Sequence, residues 1–266
     1  MTYFDQDVSE LKLLPMAGKA LFSGSRKTER RPLYRFRSGA TYSGQWCGNM
    51  RHGFGVQHWP DGACYRGEWQ MNRAEGIGLF AHADGDTYCG EWRDNVANGR
   101  GTYHHCTDRK KATTYTGEWL NDLQHGVGVE TWEEGCSFQG EYRAGMKSGF
   151  GVYRWADGST YSGSWRVNAI SGSGKYEGAD RKFLGRWKNS MIHGLGQYSW
   201  ADGRTYAGGY ADDRKSGFGV FVWPDRRKYE GFWSNGKQHG SGRYQHVDGS
   251  TIEGTWRNGK RHHALE

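Results

Sequence analysis

From residue 42 onward, apolar and polar positions alternate in short runs that return every 23 residues. Each return opens on an apolar residue: Tyr42, Tyr65, Tyr88, Tyr115, Phe138, Tyr161, Phe183, Tyr206, Tyr229 and Ile252. Counting that residue as position 1, glycine recurs at 3, tryptophan or tyrosine at 5, a turn residue at 8, glycine at 12 and 14, and Asp-Gly near 20 and 21. The repeat from Tyr88 is four residues longer and the one from Tyr161 one shorter, and both changes fall in turns. A fixed period of this length marks a stacked array of one supersecondary unit.

Positions 1 to 6 and 12 to 18 alternate with a period of two, as half-buried strands do. Position 8 is held by residues that tolerate a left-handed backbone: Asn49, Asn72, Asn95, Asp122, Gly145, Asn168, Asp213, Gly236 and Gly259, with Ser190 the exception. The second turn carries hairpin signals such as Pro60-Asp61-Gly62 and Ala156-Asp157-Gly158. The pattern predicts an all-β chain: an elongated single-layer antiparallel β-meander of about ten tandem 23-residue hairpin repeats. A four-residue loop over positions 7 to 10 would pair position 5 with 12, 3 with 14 and 1 with 16. Each tryptophan at position 5 would then lie across glycines and replace part of a missing core. By this reading the tryptophans and the aromatics at 16 and 18 are structural.

Along the chain, residues 1–21 form an N-terminal segment in which Val8, Leu11, Leu13, Leu14 and Met16, broken by Pro15, suggest a small helix that caps the first strand or docks on a partner. Residues 22–41 read as a degenerate leading repeat, from Phe22-Ser23-Gly24 to Ser38-Gly39-Ala40, and residues 42–266 hold ten repeats, the last incomplete. That leaves no room for a second domain of ordinary size.

The other face of the predicted sheet carries polar residues at positions 2, 4 and 6, such as Glu68, Glu91, Glu118 and Glu141, but an apolar ladder at 13 and 15. Its members are Phe54, Val56, Ile77, Leu79, Val127, Val129, Phe150, Val152, Phe218 and Val220. Either sheet curvature tucks these side chains together or they form a partner groove. The ladder weakens at Arg100 and Thr102, Ser173 and Lys175, and Ser241 and Arg243.

Composition supports a repeat array: glycine makes up 43 of 266 residues, aromatics 15%, and mean hydropathy is −0.93. No apolar run approaches a bilayer span and no signal peptide opens the chain, so the expected location is cytoplasmic. The five cysteines show no paired spacing and read as free thiols. Net charge is +7, and the loop after position 8 repeatedly offers a cation: Arg51, Arg73, Lys147, Arg214, Lys215, Lys237, Lys260 and Arg261. With strands ~4.8 Å apart, ten hairpins would present this basic edge over about 95 Å, a spacing suited to an extended anion. The opposite edge carries Arg109-Lys110-Lys111 and Arg226-Arg227-Lys228.

Catalytic signatures are missing. Histidines at position 11 (His52, His125, His193, His239) belong to the repeat, His104-His105-Cys106 lacks the four ligands of a closed metal site, and the Gly-x-Gly pairs open strands rather than helices. No catalytic residue, metal or cofactor is expected. Nucleic acid is disfavoured because the aromatics are already committed to the sheet.

The stretch Tyr229-Glu230-Gly231-Phe232-Trp233-Ser234-Asn235-Gly236-Lys237-Gln238-His239-Gly240-Ser241-Gly242 resembles the MORN repeat (membrane occupation and recognition nexus), whose consensus is Tyr-x-Gly-x-Trp-x-x-Gly-x-x-His-Gly-x-Gly. The resemblance runs unbroken over residues 42–262. Relatives include parasite cytoskeletal scaffolds, flagellar radial-spoke proteins and junctional membrane proteins. The resemblance implies a non-enzymatic scaffold for protein-protein interactions in a cytoskeletal assembly, with a cilium or flagellum axoneme, radial-spoke-like, as the setting. It also implies possible pairing of two copies through an array end, the last strand being left as an open edge. The alternative it implies is a peripheral binder of anionic phospholipid membranes, or weak contact with them through the basic edge.

Overall fold

A computed structural model of the chain describes residues 3–13, 28–106 and 112–264. Leu14, Pro15, Met16, Phe22 to Gly24 and Arg109 to Lys111, singled out in the sequence, lie outside these. The chain divides into two compact units, Met1–Glu133 with Tyr142–Gly145, and Glu134–Glu141 with Met146–Glu266. Each is a run of antiparallel hairpins. In the first, a 3₁₀ turn (Tyr3–Asp5) and helix α1 (Val8–Leu13) precede β1 (Glu29–Arg30) and β2 (Tyr34–Arg35). Then come β3 (Thr41–Cys47), β4 (Met50–His58), β5 (Cys64–Gln70), β6 (Arg73–Ala81), β7 (Thr87–Arg93), β8 (Val96–Cys106), β9 (Ala112–Leu120) and β10 (Leu123–Thr131). β11 (Ser137–Arg143) runs across the division. The second unit continues with β12 (Met146–Arg154), β13 (Thr160–Arg166), β14 (Ala169–Glu177), β15 (Arg181–Lys188), β16 (Met191–Trp200), β17 (Thr205–Ala211), β18 (Arg214–Val222), β19 (Lys228–Ser234), β20 (Lys237–Gln245), β21 (Thr251–Arg257) and β22 (Lys260–Ala264).

The pairing of positions 3 with 14 and 1 with 16 is as the pattern predicts: Gly44 faces Gly55 and Tyr42 faces Gln57. Position 14 also faces position 3 of the next repeat, Gly55 against Gly67 and Gly78 against Gly90. Paired glycines therefore form a seam from Gly44 to Gly128 in the first unit and from Gly151 to Gly254 in the second. The position 1 ring lies over this seam. A Cβ on Gly67 would fall 2.5 Å from the Gly78 Cα, and one on Gly78 would fall 2.6 Å from Tyr65 Cε2. The ring is tied down at its far end, since the Tyr65 hydroxyl donates to the Glu68 carbonyl at 2.9 Å and Tyr42, Tyr88 and Tyr115 do the same three residues on.

Position 5 corrects the sequence reading. Trp69 pairs with Ala74, at position 10, across a bulge that starts after Gly67. The turn is thus two residues, not four, and both take positive φ: Met71 and Asn72, Asp94 and Asn95, Asp212 and Asp213. Such a turn matches the twist of the strands it joins, and the surplus residues go into the bulge. The glycine at position 12 sits there with positive φ (Gly76, 77°) and pairs instead with the next repeat's tryptophan. The ring covering the glycines is therefore the one at position 1. Trp69, Trp92, Trp119 and Trp165 each donate from Nε1 to the carbonyl of the position 14 glycine one repeat earlier. A position 1 ring meets two position 5 rings edge-on, as Tyr65 lies 5.0 Å from Trp69 and 5.4 Å from Trp92 and Tyr206 5.2 Å from Tyr210 and 5.3 Å from Trp233.

Two polar devices finish the repeat. The position 8 residue clasps position 10 of the preceding repeat: Asn95 donates its N–H to the Ala74 carbonyl, and its Oδ1 accepts from the Ala74 N–H at 2.7 Å. Asn72 and Arg51, Asp122 and Ala97, and Asp213 and Ile192 repeat the pair. The glutamates at position 4, read from the sequence as plain surface polarity, accept the backbone N–H at position 13, as Glu68 does from Ile77 and Glu91 from Arg100.

The N-terminal segment lies on the aromatic face of the first unit. Phe4 is 4% exposed and sits 5.2 to 5.8 Å from the rings of Trp59, Tyr65, Trp69, Phe80 and Trp92. Burying one such ring stabilises by about 1.5–3 kcal/mol.

Gly78→Ala is expected to destabilise by about 1–3 kcal/mol, because the Tyr65 ring must leave its place. Gly236→Asn should change stability by less than about 0.5 kcal/mol: a Cβ there would meet no atom within 4 Å, and asparagine holds that turn position elsewhere. Urea unfolding of the two variants decides, and equal losses would show that the seam is not the constraint.

Candidate functional site

Strand alternation gives each unit two unlike faces. On the outward face, away from the rings, Phe54 (52% exposed), Ile77 (55%), Val127 (56%), Phe150 (55%) and Phe218 (52%) stand in the open, with Leu79 and Val129 also exposed. Val56, Val152 and Val220 are half-buried beside them. Phe54, Val56, Ile77, Leu79, Val127 and Val129 share this face in the first unit, and Phe150, Val152, Phe218 and Val220 in the second. Arg100 and Thr102 interrupt the row, and with Thr116 and Val127 they line a shallow hollow. Sequence reasoning missed Leu184 (59% exposed) and Phe232 (49%). They stand at positions 2 and 4, which most repeats fill with polar residues, and Phe232 meets Phe218 edge-on at 5.8 Å.

The cations split into two sets. Position 9 points to solvent: Arg214, Lys237 and Lys260 are exposed, and Arg73 is paired with Asp94. Position 10 turns toward the aromatic face, which removes Arg51 and Lys215 from the predicted edge. Arg51 is fully buried. Its guanidinium donates to Gln57 Oε1, to the Phe4 carbonyl at 3.1 Å and to the Asn72 carbonyl at 3.0 Å, and it lies 4.3 Å over Trp69. Gln57 in turn donates to the buried carboxylate of Asp7 at 3.2 Å. Burial pushes the Arg51 pKa down to about 10, with Asp7 pulling the other way. Lys147 Nζ lies 5.2 Å over the Phe138 ring, and Arg261 donates to the Glu253 carbonyl. The two-residue turn decides this split, and the sequence reading assumed a longer one.

Lys215 sits among four rings, 5.3 Å from Trp200, 5.2 Å from Tyr206, 4.6 Å from Phe221 and 5.1 Å from Trp233. Such a cage attracts a cation through the negative ring faces. The same four repeat positions, Trp59, Tyr65, Phe80 and Trp92, surround Phe4 in the first unit, where position 10 is Ala74.

Among the described residues no group of three or more His, Cys, Asp or Glu is arranged to hold a metal ion. His105 and Cys106 meet Asp86 instead: His105 Nδ1 lies 2.8 Å from Asp86 Oδ2, and the Cys106 N–H and Tyr103 hydroxyl donate to the same carboxylate. The five cysteines are free thiols. No helix among the described residues is long and apolar enough to cross a membrane.

A family model of the MORN repeat matches ten consecutive segments: residues 42–64, 65–87, 88–107, 115–137, 138–160, 161–182, 183–203, 206–226, 229–251 and 253–262. No curated protein matches the sequence. Among solved structures, the chain is similar to the G-box domain of the microcephaly protein CPAP at 10% identity and a TM-score of 0.42, covering 77% of this chain and 100% of that one. It is also similar to the TCP domain of SAS-4 of Drosophila melanogaster in complex with a proline-rich motif of Ana2, at 12% identity and a TM-score of 0.32, covering 84% and 97%. At these TM-scores neither likeness carries a functional argument.

Burial among the rings pushes the Lys215 pKa down to about 8, and Arg204 adds to the shift. The unfolded chain, where lysine titrates near about 10.4, holds this proton more tightly, so stability rises with pH across the interval between the two values. The surrounding Tyr206 is pushed the other way and stays protonated there. The urea midpoint is therefore expected to climb between pH about 8 and about 9.5, and Lys215→Met should flatten that climb.

Proposed function

The chain belongs to the MORN-repeat family, and on that premise we propose that it is a non-enzymatic scaffold that joins proteins in a cytoskeletal assembly. Repeats of this family generally serve as protein-interaction or membrane-binding scaffolds. The observation that carries the protein-interaction reading is the outward apolar row in each unit, Phe54, Ile77, Leu79, Val127 and Val129 in the first and Phe150 and Phe218 in the second, all exposed to water. A row of apolar side chains in the open marks an interaction surface, and a helix or strand laid along it would cover several repeats at once. The finer setting, a cilium or flagellum axoneme in a radial-spoke-like assembly, rests on resemblance to relatives with that role. Arg214, Lys237 and Lys260, exposed at position 9, favour as a second reading the binding of anionic phospholipid.

Co-sedimentation with microtubules or axonemal extract, run beside flotation on anionic liposomes over a salt series, separates the two readings. Retention in the cytoskeletal fraction at physiological salt is expected, with liposome binding fading as salt screens the dispersed cations. Exchanging Phe54, Ile77 and Val127 together for threonine should abolish retention while lowering the urea midpoint only modestly, since about half of each side chain is already in water and threonine keeps the strand without placing a charge opposite Glu68 or Glu91. Liposome binding that persists at physiological salt without any protein partner would overturn the scaffold reading.

A further inference from the structure

The repeat builds one kind of ring cage, from position 18 of the preceding repeat, positions 1 and 16 of its own, and position 5 of the next. Two of these cages show how unlike their occupants are. Lys215 fills the cage of Trp200, Tyr206, Phe221 and Trp233 from its own position 10. Phe4 fills that of Trp59, Tyr65, Phe80 and Trp92, where position 10 is the small Ala74.

The repeat opening at Tyr88 places Tyr88, Tyr103 and Trp119 at three of these positions, with His82, packed on Tyr3 and Phe80, where the Lys215 cage has Trp200, and all four line one hollow. Its Tyr88, Tyr103 and Trp119 ring spacings match those around Lys215. Tyr88 and Trp119 stand 5.2 Å apart at 83°, as Tyr206 and Trp233 stand 5.3 Å apart at 84°, and Tyr103 lies 6.2 Å from Trp119, as Phe221 lies 6.1 Å from Trp233. The register is also the same, with Tyr88 paired to Tyr103 and Tyr206 to Phe221. At the place of Lys215, however, stands Ala97, so the space the ammonium would take is an open hollow of about 460 Å³ with Tyr3 and Phe4 on one wall. The rim differs as well. Gly236 clasps the Lys215 backbone, whereas here Asp122 clasps that of Ala97, and its exposed carboxylate lines the hollow beside Tyr88.

We propose that this cage receives a lysine or arginine side chain from a partner protein. Tyr88, Tyr103 and Trp119 supply cation-attracting faces, Ala97 supplies the room, and Asp122 supplies the countercharge whose absence leaves the buried Lys215 ammonium with a lowered pKa. The neighbouring cage takes a phenyl ring, and the carboxylate at its rim, Asp5, is engaged by the Asn95 amide at 3.2 Å; here the rim residue itself is the carboxylate and lines the hollow. The site is on the aromatic face, not on the outward apolar row, so the scaffold reading and this one succeed or fail separately.

The test is a titration of the full chain with Nα-acetyl-lysine methylamide, read on the tryptophan indole NMR signals. A saturable shift at Trp119 is expected, with none for the same probe acetylated on Nε. Asp122→Asn should weaken binding at least threefold without unfolding the turn, because asparagine serves that position in other repeats. Ala97→Lys, which fills the cage in cis, should abolish it while the amide NMR spectrum of the folded chain is kept. No saturable shift, or a shift indifferent to Asp122→Asn, overturns the proposal. Stronger binding of Nα-acetyl-phenylalanine amide would overturn it in favour of a ring, and stronger binding of phosphocholine in favour of a lipid headgroup.

Discussion

Everything in the repeat follows from a ring laid flat on backbone. A single-layer sheet has no second layer to bury its side chains against, so its apolar surface must be covered from within. The position 1 tyrosine or phenylalanine does this by lying along its own strand over two facing glycines, where a Cβ would meet the ring or the opposite Cα. Once the ring is there, its edges are open to both sides, and the tryptophans at position 5 close on them edge-on. At Trp69, Trp92, Trp119, Trp165 and Trp233 the indole N–H then reaches the glycine carbonyl one repeat back, so a ring that packs within one repeat also ties it to the previous one. Cohesion between repeats is thus a by-product of covering the glycines.

The bulge is the second consequence. A two-residue turn with both residues at positive φ brings the strands together too early for positions 5 and 12 to face each other, and the excess chain gathers at positions 11 to 13. That displacement frees a backbone N–H, which the position 4 glutamate accepts, and rotates position 10 onto the aromatic face. The clasp from the position 8 side chain holds it there. Through this geometry one repeat position becomes a chemical variable: alanine leaves a cage open, while arginine or lysine fills it from within.

Function is divided between the faces accordingly. The outward face is periodic and apolar, suited to a partner that runs along it. The aromatic face is individual, each cage set by what stands at position 10 and by what the chain folds onto it, as residues 3–13 fold onto the first unit through Phe4, Leu11 and the Arg51–Gln57–Asp7 chain of hydrogen bonds.

The sequence determined the period, the all-β class, the pairing of positions 1 with 16 and 3 with 14, and the apolar row at 13 and 15, because strand alternation and glycine spacing are local properties of the chain. It also marked the turn at position 8, where only asparagine, aspartate, glycine and one serine stand. It could not give the length of that turn, since two and four residues fit the same letters until the bulge is seen. For that reason Arg51 and Lys215 looked like members of a basic edge, while the tertiary structure buries the first and surrounds the second with rings. Only the folded chain brings Phe4 to Trp59 and Trp92, or sets His82, Tyr88, Tyr103 and Trp119 around the space above Ala97. Those contacts join residues far apart in sequence, and what decides them is which rings already have a neighbour.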